Sequence, residues 1–261
     1  MLADSLRTTM SAASGAKLDA ALTDLGWPDM LDEIPDFAIP LVFRLLGETG
    51  AHAPVLNDVV LRAAGDTPGG TLPLPFAGGS WAVWERSDGS SWALDDLPIH
   101  RVRQGVPIVP AALAAGRLAL GWWLVGVGRA MLSLARQHAV DRVQFGRHIS
   151  SFQAIRHRLA ETLVAIEGAE ATLQVAGDLS DESDGLACLL AKAAAGQAAL
   201  TAARDCQQVL GGIGFTAEHR LHHHVKRALM LDALLGSARE LTREAGTALR
   251  AKGYAPRLAQ L

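Results

Sequence analysis

A mainly α-helical protein with a bundle of long helices over its C-terminal part is what this sequence predicts, and three observations carry that reading. From Pro107 onward the chain is a succession of Ala- and Leu-rich segments, about 108–144, 149–177, 183–210, 216–233 and 236–252, separated by glycines and an acidic turn at Asp178–Asp184. In the second segment Ile149, Phe152, Ile155, Leu159, Leu163, Ile166 and Leu173 recur at steps of three, four or seven, the spacing of one helix face. Strand-like residues are confined to the neighbourhood of Trp81–Leu94, and strands do not alternate with helices, which argues against a Rossmann domain.

Taken in order, Lys17–Leu25 reads as a helix that ends at Gly26-Trp27-Pro28, where proline blocks continuation. Phe37–Leu46 reads as a second helix stopping at Gly47. Pro54-Val55 opens a third that runs through Leu61 with Asn57 and Asp58 on its polar side. Gly65–Gly79, with Pro68, Gly69, Gly70, Pro73 and Pro75, reads as an irregular crossing from which helix is excluded. Trp81–Glu85 and Ser91–Leu94 flank Ser87-Asp88-Gly89-Ser90 and read as a hairpin. The remainder is a bundle of four long helices with extra turns.

At 261 residues and 49% hydrophobic content the chain buries a sizeable core. Its formal net charge of -3 is spread without a basic stripe, so no nucleic-acid partner is expected. Cys188 and Cys206 fall in one helical segment, ~27 Å apart at ~1.5 Å per residue. They read as small core residues of a cytoplasmic protein. The N-terminus lacks the order of a signal peptide, and the apolar stretch Leu118–Gly128 is shorter than the roughly 20 residues that span a bilayer, so no membrane is expected. His219, His222, His223 and His224 have metal-compatible spacing but only Glu218 nearby to complete a site; a polar surface helix and no metal are expected. Trp122-Trp123 reads as packing at a subunit interface.

Two segments carry chemistry. Arg142 through Gln153 sits where one helix ends at Gly146 and another begins near Ser150 or Ser151, both good N-caps; such a junction with its guanidinium is a natural site for a pyrophosphate. Local physics alone still favours a solvated Arg142 and a core Phe145. Gln208-Val-Leu-Gly211-Gly212-Ile-Gly214-Phe215 is a helix end broken by three glycines, two of them adjacent, which admits close approach of another group to the backbone. It does not follow a strand, so it is not a dinucleotide fingerprint of the Rossmann type.

Together, Arg-x-x-Phe-Gly, then Phe152-Gln153, then Gln-x-x-Gly-Gly-x-Gly-Phe within an Ala-rich bundle resemble the C-terminal domain of acyl-CoA dehydrogenases over roughly residues 107–252. The resemblance implies a C-terminal four-helix bundle of that type over 107–261, a shortened helical N-terminal region over 1–66 and a reduced β-domain remnant over 67–106. It also implies FAD as cofactor, with Arg142, Phe145, Gln153, Gln208, Gly211 and Gly212 touching a flavin bound mainly by the neighbouring subunit.

The same resemblance places the family's catalytic glutamate at position 235, which is Leu235, or in a few branches near position 116, which is Gly116. The flavin-holding Gly-Thr-x-Gln is also changed, to Gly236-Ser237-Ala238-Arg239. The resemblance therefore implies a non-catalytic subunit of a heteromeric FAD-dependent acyl-CoA dehydrogenase, an α2β2 heterotetramer. There a full-length sister chain supplies the glutamate, the β-domain, most flavin contacts and the hold on the acyl-CoA. A steroid-derived thioester is implied by analogy with truncated sister chains of bacterial steroid degradation. The alternatives are a self-sufficient dehydrogenase with a base displaced to Glu240, Glu244 or Glu85, and a flavin-free helical assembly scaffold.

Overall fold

The computed structural model describes residues 2–87, 97–178 and 185–254. Five helices come first: α1 (Leu2–Ala12), α2 (Ala16–Asp24), α3 (Trp27–Glu33), α4 (Pro35–Thr49) and α5 (Val55–Ala64). An antiparallel sheet comes next, β1 (Pro73–Phe76), β2 (Ser80–Trp84) and β3 (Ile99–Val102), in that spatial order. The rest is α6 (Pro110–Asp141), a small hairpin of β4 (Val143–Gln144) and β5 (Arg147–His148), α7 (Gln153–Asp178), α8 (Leu186–Leu210), α9 (Leu221–Ala233) and α10 (Ala238–Lys252). The mainly α expectation holds, and the five long segments of the sequence correspond to α6–α10.

Helix α6 is the hub, packed by α4, α5, α7, α8 and α9. Gly47 does not stop α4, which runs on to Thr49 and closes at Gly50 in the left-handed region (φ 76°). Gly47 is instead the crossing point with α6: a Cβ there would lie 2.5 Å from the Val127 nitrogen and collide with the Trp123 carbonyl oxygen. Its counterpart Gly126 faces the Arg44 carbonyl oxygen just as closely. Backbone atoms cannot rotate away as side chains do, so Gly126→Ala should force the two helices apart. The expected loss is about 1–3 kcal/mol, read as a lower thermal midpoint.

Helix α2 ends at Asp24, as the sequence predicts, and Pro28 then occupies the first turn of the new helix α3, where its missing N–H costs nothing. Two further expectations are corrected. Asn57 and Asp58 are buried rather than on a polar face, because each has work inside. The Asn57 carboxamide donates to the Trp84 carbonyl oxygen (2.9 Å), while the Asp58 carboxylate accepts from Trp27 Nε1 (3.1 Å), the Gly69 N–H (2.8 Å) and Arg86. Trp123 is not at an interface: it is fully buried, stacked on Trp84 with ring centroids 5.2 Å apart and edge-on to Phe43 at 5.5 Å, and Trp122 is buried too. The α5–β2–α6 contacts thus pin the sheet to the helices.

Strand β2 pairs on both sides, Phe76 with Ser80 and Trp84 with Ile99 marking the two registers. The region 65–79 therefore contains a strand, tolerated despite Pro73 and Pro75 because β1 is the sheet's outer strand. Ser91–Leu94, read as the hairpin partner of Trp81–Glu85, lies outside the described residues. By length and composition α6 and the Leu186–Phe215 stretch are apolar enough to cross a membrane, which the shorter stretch Leu118–Gly128 did not suggest; 72% and 67% of those windows are buried in the fold. Both cysteines are buried and free on α8.

Candidate functional site

Helices α7 and α8 run antiparallel: Arg158, early in α7, reaches Asp205, late in α8, at 3.0 Å, and Cys188, early in α8, lies against the Ala176 carbonyl at the far end of α7. The end of α6, the start of α7 and the end of α8 consequently share one end of the bundle. The rings of His138, in the last turn of α6, and His219, beyond α8, meet edge to face at 6.4 Å and close that end. Burial and then the charges of His219 and Arg142 push the His138 pKa down. All six residues matched to flavin contacts lie here.

Arg142 is the exposed C-cap of α6, and its carbonyl accepts the Ile149 N–H at 2.9 Å, closing the β4–β5 hairpin. At the tip Phe145 (φ 54°) and Gly146 (φ 76°) are both left-handed, the signature of a type I′ turn. A phenylalanine in that conformation is strained, and this one is 91% exposed. It is not a core residue. Its ring stands 6.0 Å from Phe152, whose other contact is the Arg147 guanidinium at 4.2 Å. No serine caps α7: Ser151 turns its hydroxyl to the His148 carbonyl (2.7 Å), and a short 3₁₀ turn over Ile149–Ser151 leads in. Gln153 opens α7, exposed, beside a concavity of about 470 Å³ shared with Arg156 and His157. Ile166 and Leu173 are buried as their spacing predicts, but Leu163, placed on the same face, is exposed, and Thr162 is buried instead.

On the other side of this end, Gln208 is exposed in the last turn of α8 and Gly211 (φ 65°) breaks the helix. The neighbouring glycines differ in purpose. A Cβ at Gly214 would strike the Gln207 carbonyl oxygen at 2.7 Å, so packing within the chain requires that glycine. Gly212 has an ordinary φ and nothing within 4 Å of a would-be Cβ. Nothing in the chain demands a glycine there, whereas a group approaching from outside would. One guanidinium, two carboxamides, a displayed ring and a bare backbone suit an anionic, flat cofactor such as FAD.

The two seats of the family's base converge elsewhere. A Cβ on Gly116 of α6 would come within 2.6 Å of Leu235 Cδ1 and 2.9 Å of Val60 Cγ2, so positions 116 and 235 face each other across an apolar contact. Leu235 is 0% exposed and itself left-handed (φ 56°). Its N–H donates to the Pro75 carbonyl (2.7 Å), its carbonyl accepts from Arg117 Nε (3.2 Å), and Leu234 bridges Phe76 of β1. Lys192, fully buried on α8, donates to the Asp232 carbonyl at 2.6 Å and to the Gly236 carbonyl. Burial pushes its ammonium pKa down to about 7. The loop between α9 and α10 is thus sutured to β1 on one side and held by two buried cations on the other.

Sequence reasoning missed Lys192 and Arg117; an isolated lysine in the apolar run Cys188–Ala195 was the available signal.

The acids offered in place of the base are engaged or remote. Glu240 forms a capping box with Ser237 at the start of α10 and also accepts the Gly78 N–H at 2.8 Å. The Gly78 bond first, then those of Ser237, hold its pKa down at about 2. Rather than a solvated carboxylate on another face of a continuous helix, it is the third residue of a new one. Glu244 pairs with Arg117 (3.3 Å), and Glu85 faces His100 (3.8 Å). Among the described residues no group of three His, Cys, Asp or Glu side chains is arranged to hold a metal. The histidine segment is not a uniformly polar surface helix, since His224 is buried.

Comparison with known proteins bears on the family and the fold. Residues 103–247 match the family described as acyl-CoA dehydrogenase, C-terminal domain. The acyl-CoA dehydrogenase FadE34 of Mycobacterium tuberculosis is 34% identical over 77% of this chain and 30% of its own length. The chain spans about a third of the length of the first curated relatives it matches. Among solved structures, the ChsE4-ChsE5 complex from Mycobacterium tuberculosis superposes with a TM-score of 0.75 at 20% identity, covering 98% of this chain and 97% of that one. The Tcur3481-Tcur3483 steroid ACAD G363A variant gives 0.74 at 19% identity, covering 97% and 96%. At those identities the likeness is one of fold.

Proposed function

The chain belongs to the acyl-CoA dehydrogenase family, and from that premise we propose that it is the non-catalytic subunit of a heteromeric, FAD-dependent acyl-CoA dehydrogenase. It completes a flavin site owned by a full-length sister chain. The observation that carries this reading is an asymmetry: the end bearing Arg142, Phe145, Gln153, Gln208, Gly211 and Gly212 is open to solvent, while the place of the base is closed by Leu235. Two-protein complexes among the structural neighbours support a partner chain, and the steroid named for one supports a steroid-derived CoA thioester as substrate. We take the assembly to be an α2β2 heterotetramer, with buried unpaired cysteines in keeping with a cytoplasmic location.

Bound FAD supplies the acceptor for the hydride lost from the acyl β-carbon. What this chain supplies is binding. Arg142 neutralises phosphate charge, Gln153 and Gln208 offer amide hydrogen bonds, Phe145 covers an apolar edge of the cofactor and excludes water, and Gly211-Gly212 lets the backbone come close. The proton of the α-carbon goes to a carboxylate of the sister chain, because neither 116 nor 235 carries an acceptor here.

Glu240→Gln in the assembled complex separates this reading from a displaced base. Turnover should stay within about twofold, and the thermal midpoint should fall by an amount worth about 0.5–2 kcal/mol as the cap weakens. The sign with pH is set as well: with a folded pKa below the 4.5 of the free carboxyl, the Glu240 contribution is present above pH 4.5 and is lost as pH falls toward 2. A loss of turnover of several orders of magnitude would assign Glu240 the proton transfer instead.

A further inference from the structure

Helix α7 lies on the outside of the bundle, packed on its inner side by α6 and α8. Inward it presents Thr162, Ile166, Ala169, Leu173 and Ala176. The outward side is not uniformly polar. Ala160, Val164, Gly168, Ala171 and Val175 are all exposed, at steps of three or four that align them in one row, and Val164 is 71% exposed. Such an apolar row along a 26-residue helix is a surface that association would take out of water.

Gly168 stands in the middle of α7, where glycine weakens a helix relative to alanine. Nothing inside the chain calls for it, since no atom lies within 4 Å of a would-be Cβ. A bare backbone at that point serves a close approach from outside. About the midpoint between Glu167 and Gly168 the row is a palindrome: Val164 balances Ala171, Ala160 balances Val175, and His157, one step further out, balances Asp178. Charge changes sign across the same midpoint. Arg156 and His157 stand at the start of the helix and Asp178 at its end, all exposed, and neither Arg156 nor Asp178 forms an ion pair among the described residues. Glu167, beside the midpoint, is already answered by Arg129 at 2.9 Å.

We propose that this face pairs with the same face of a second copy of this chain, the two α7 helices running antiparallel about a two-fold axis between Glu167 and Gly168. That arrangement lays Val164 on Ala171 and Ala160 on Val175, each twice over, and brings Arg156 and His157 of each copy to Asp178 of the other. A two-fold contact requires a surface complementary to itself, and the palindrome with its reversed charge is one. A different partner would have no need of it. Gly168 and Ala171 let the two backbones approach to about 8 Å, the close end of helix packing. The apolar middle and charged ends of the row match the core and rim of an interface. In a heterotetramer this contact joins the two like chains, and it does not depend on the flavin reading.

The test places a cysteine at the axis, in the full chain alone and in its complex with the sister subunit. Cys188 and Cys206 are buried, so the new thiol is the reactive one. With a short bis-maleimide, Gly168→Cys should link two copies to each other in at least one of the two samples, whereas Ala154→Cys, ~40 Å from its own mate at ~1.5 Å per residue, should not. In the sample that links, sedimentation should show pairing weakened at least about tenfold by Asp178→Arg and restored when Arg156→Asp is added to it. Gly168→Leu, which fills the space at the axis, should abolish pairing while the helical content read by circular dichroism stays the same. None of these readouts involves flavin, so a failure here and a failure of the lent half-site are told apart. Linkage of Gly168→Cys to the sister subunit instead, linkage no greater than that of Ala154→Cys in both samples, or pairing indifferent to Gly168→Leu would overturn the proposal.

Discussion

Leu235→Glu, the substitution that restores the family's residue at its expected seat, should destabilise the chain by about 3–5 kcal/mol and confer no dehydrogenase activity on it. Position 235 is fully buried against Gly116 and Val60, and its backbone is bonded to β1 and Arg117. An ionised carboxylate there has no water, and the nearby guanidinium of Arg117 is shared between the Leu235 carbonyl and Glu244. The group would be forced to protonate, with its pKa raised by several units. Since that glutamate is charged when unfolded and neutral when folded, the penalty should grow as pH rises from about 4.3 toward its raised folded value. Leu235→Gln serves as the uncharged control: it should cost less and show no such pH dependence. Denaturant unfolding of both variants between about pH 5 and 8 makes the comparison; equal losses at all pH values would mean that the site is wetter than the structure shows.

Arg142→Ala should leave folding untouched and loosen FAD in the complex. The side chain is exposed at the helix end, so its removal disturbs no packing. A charge-assisted bond to phosphate is worth about 1.5–3 kcal/mol, which corresponds to a roughly ten- to hundredfold weaker flavin affinity. Phe145→Asn sharpens the point by moving two quantities in opposite directions. Asparagine tolerates the left-handed conformation at the first turn position better than phenylalanine, so the isolated chain should gain some tenths of a kcal/mol while the complex loses flavin. If Phe145 were only a surface accident, stability would rise and flavin affinity would not change. Flavin fluorescence during dilution of the complex, alongside thermal unfolding of the free chain, reads both.

The helices that matter most for placing the site were legible because long apolar periodicity is a local property: α6 through α10 follow from residue spacing within a few positions at each end. Features set by contacts distant in sequence were not. Gly47 has the look of punctuation until α6 is brought across it, and Asn57 and Asp58 look like a solvated face until Trp84, Gly69 and Arg86 arrive as partners. Trp122-Trp123 carries no mark that separates an internal stack from an interface.

The residues matched to the family's flavin contacts were identifiable from their motifs. That Phe145 is displayed in a strained turn was not, since the Arg142–Ile149 bond creating that turn reverses the chain. The closure of the base's position was only half visible: the sequence shows leucine at 235 and glycine at 116, but not that they touch. Lys192 was invisible as a clamp because its acceptors are backbone carbonyls 40 and 44 residues away, which leave no pattern in side-chain identity.

Whether this chain lends a half-site and owns none can be read from the flavin stoichiometry of three samples: the chain alone, its complex with the sister subunit, and the complex carrying Arg142→Ala. The expected result is no retained FAD and no acyl-CoA dehydrogenation for the chain alone, one FAD for each pair of unlike chains in the complex, and a marked loss of that flavin in the variant. Stoichiometric FAD and turnover in the isolated chain would refute the lending of a half-site.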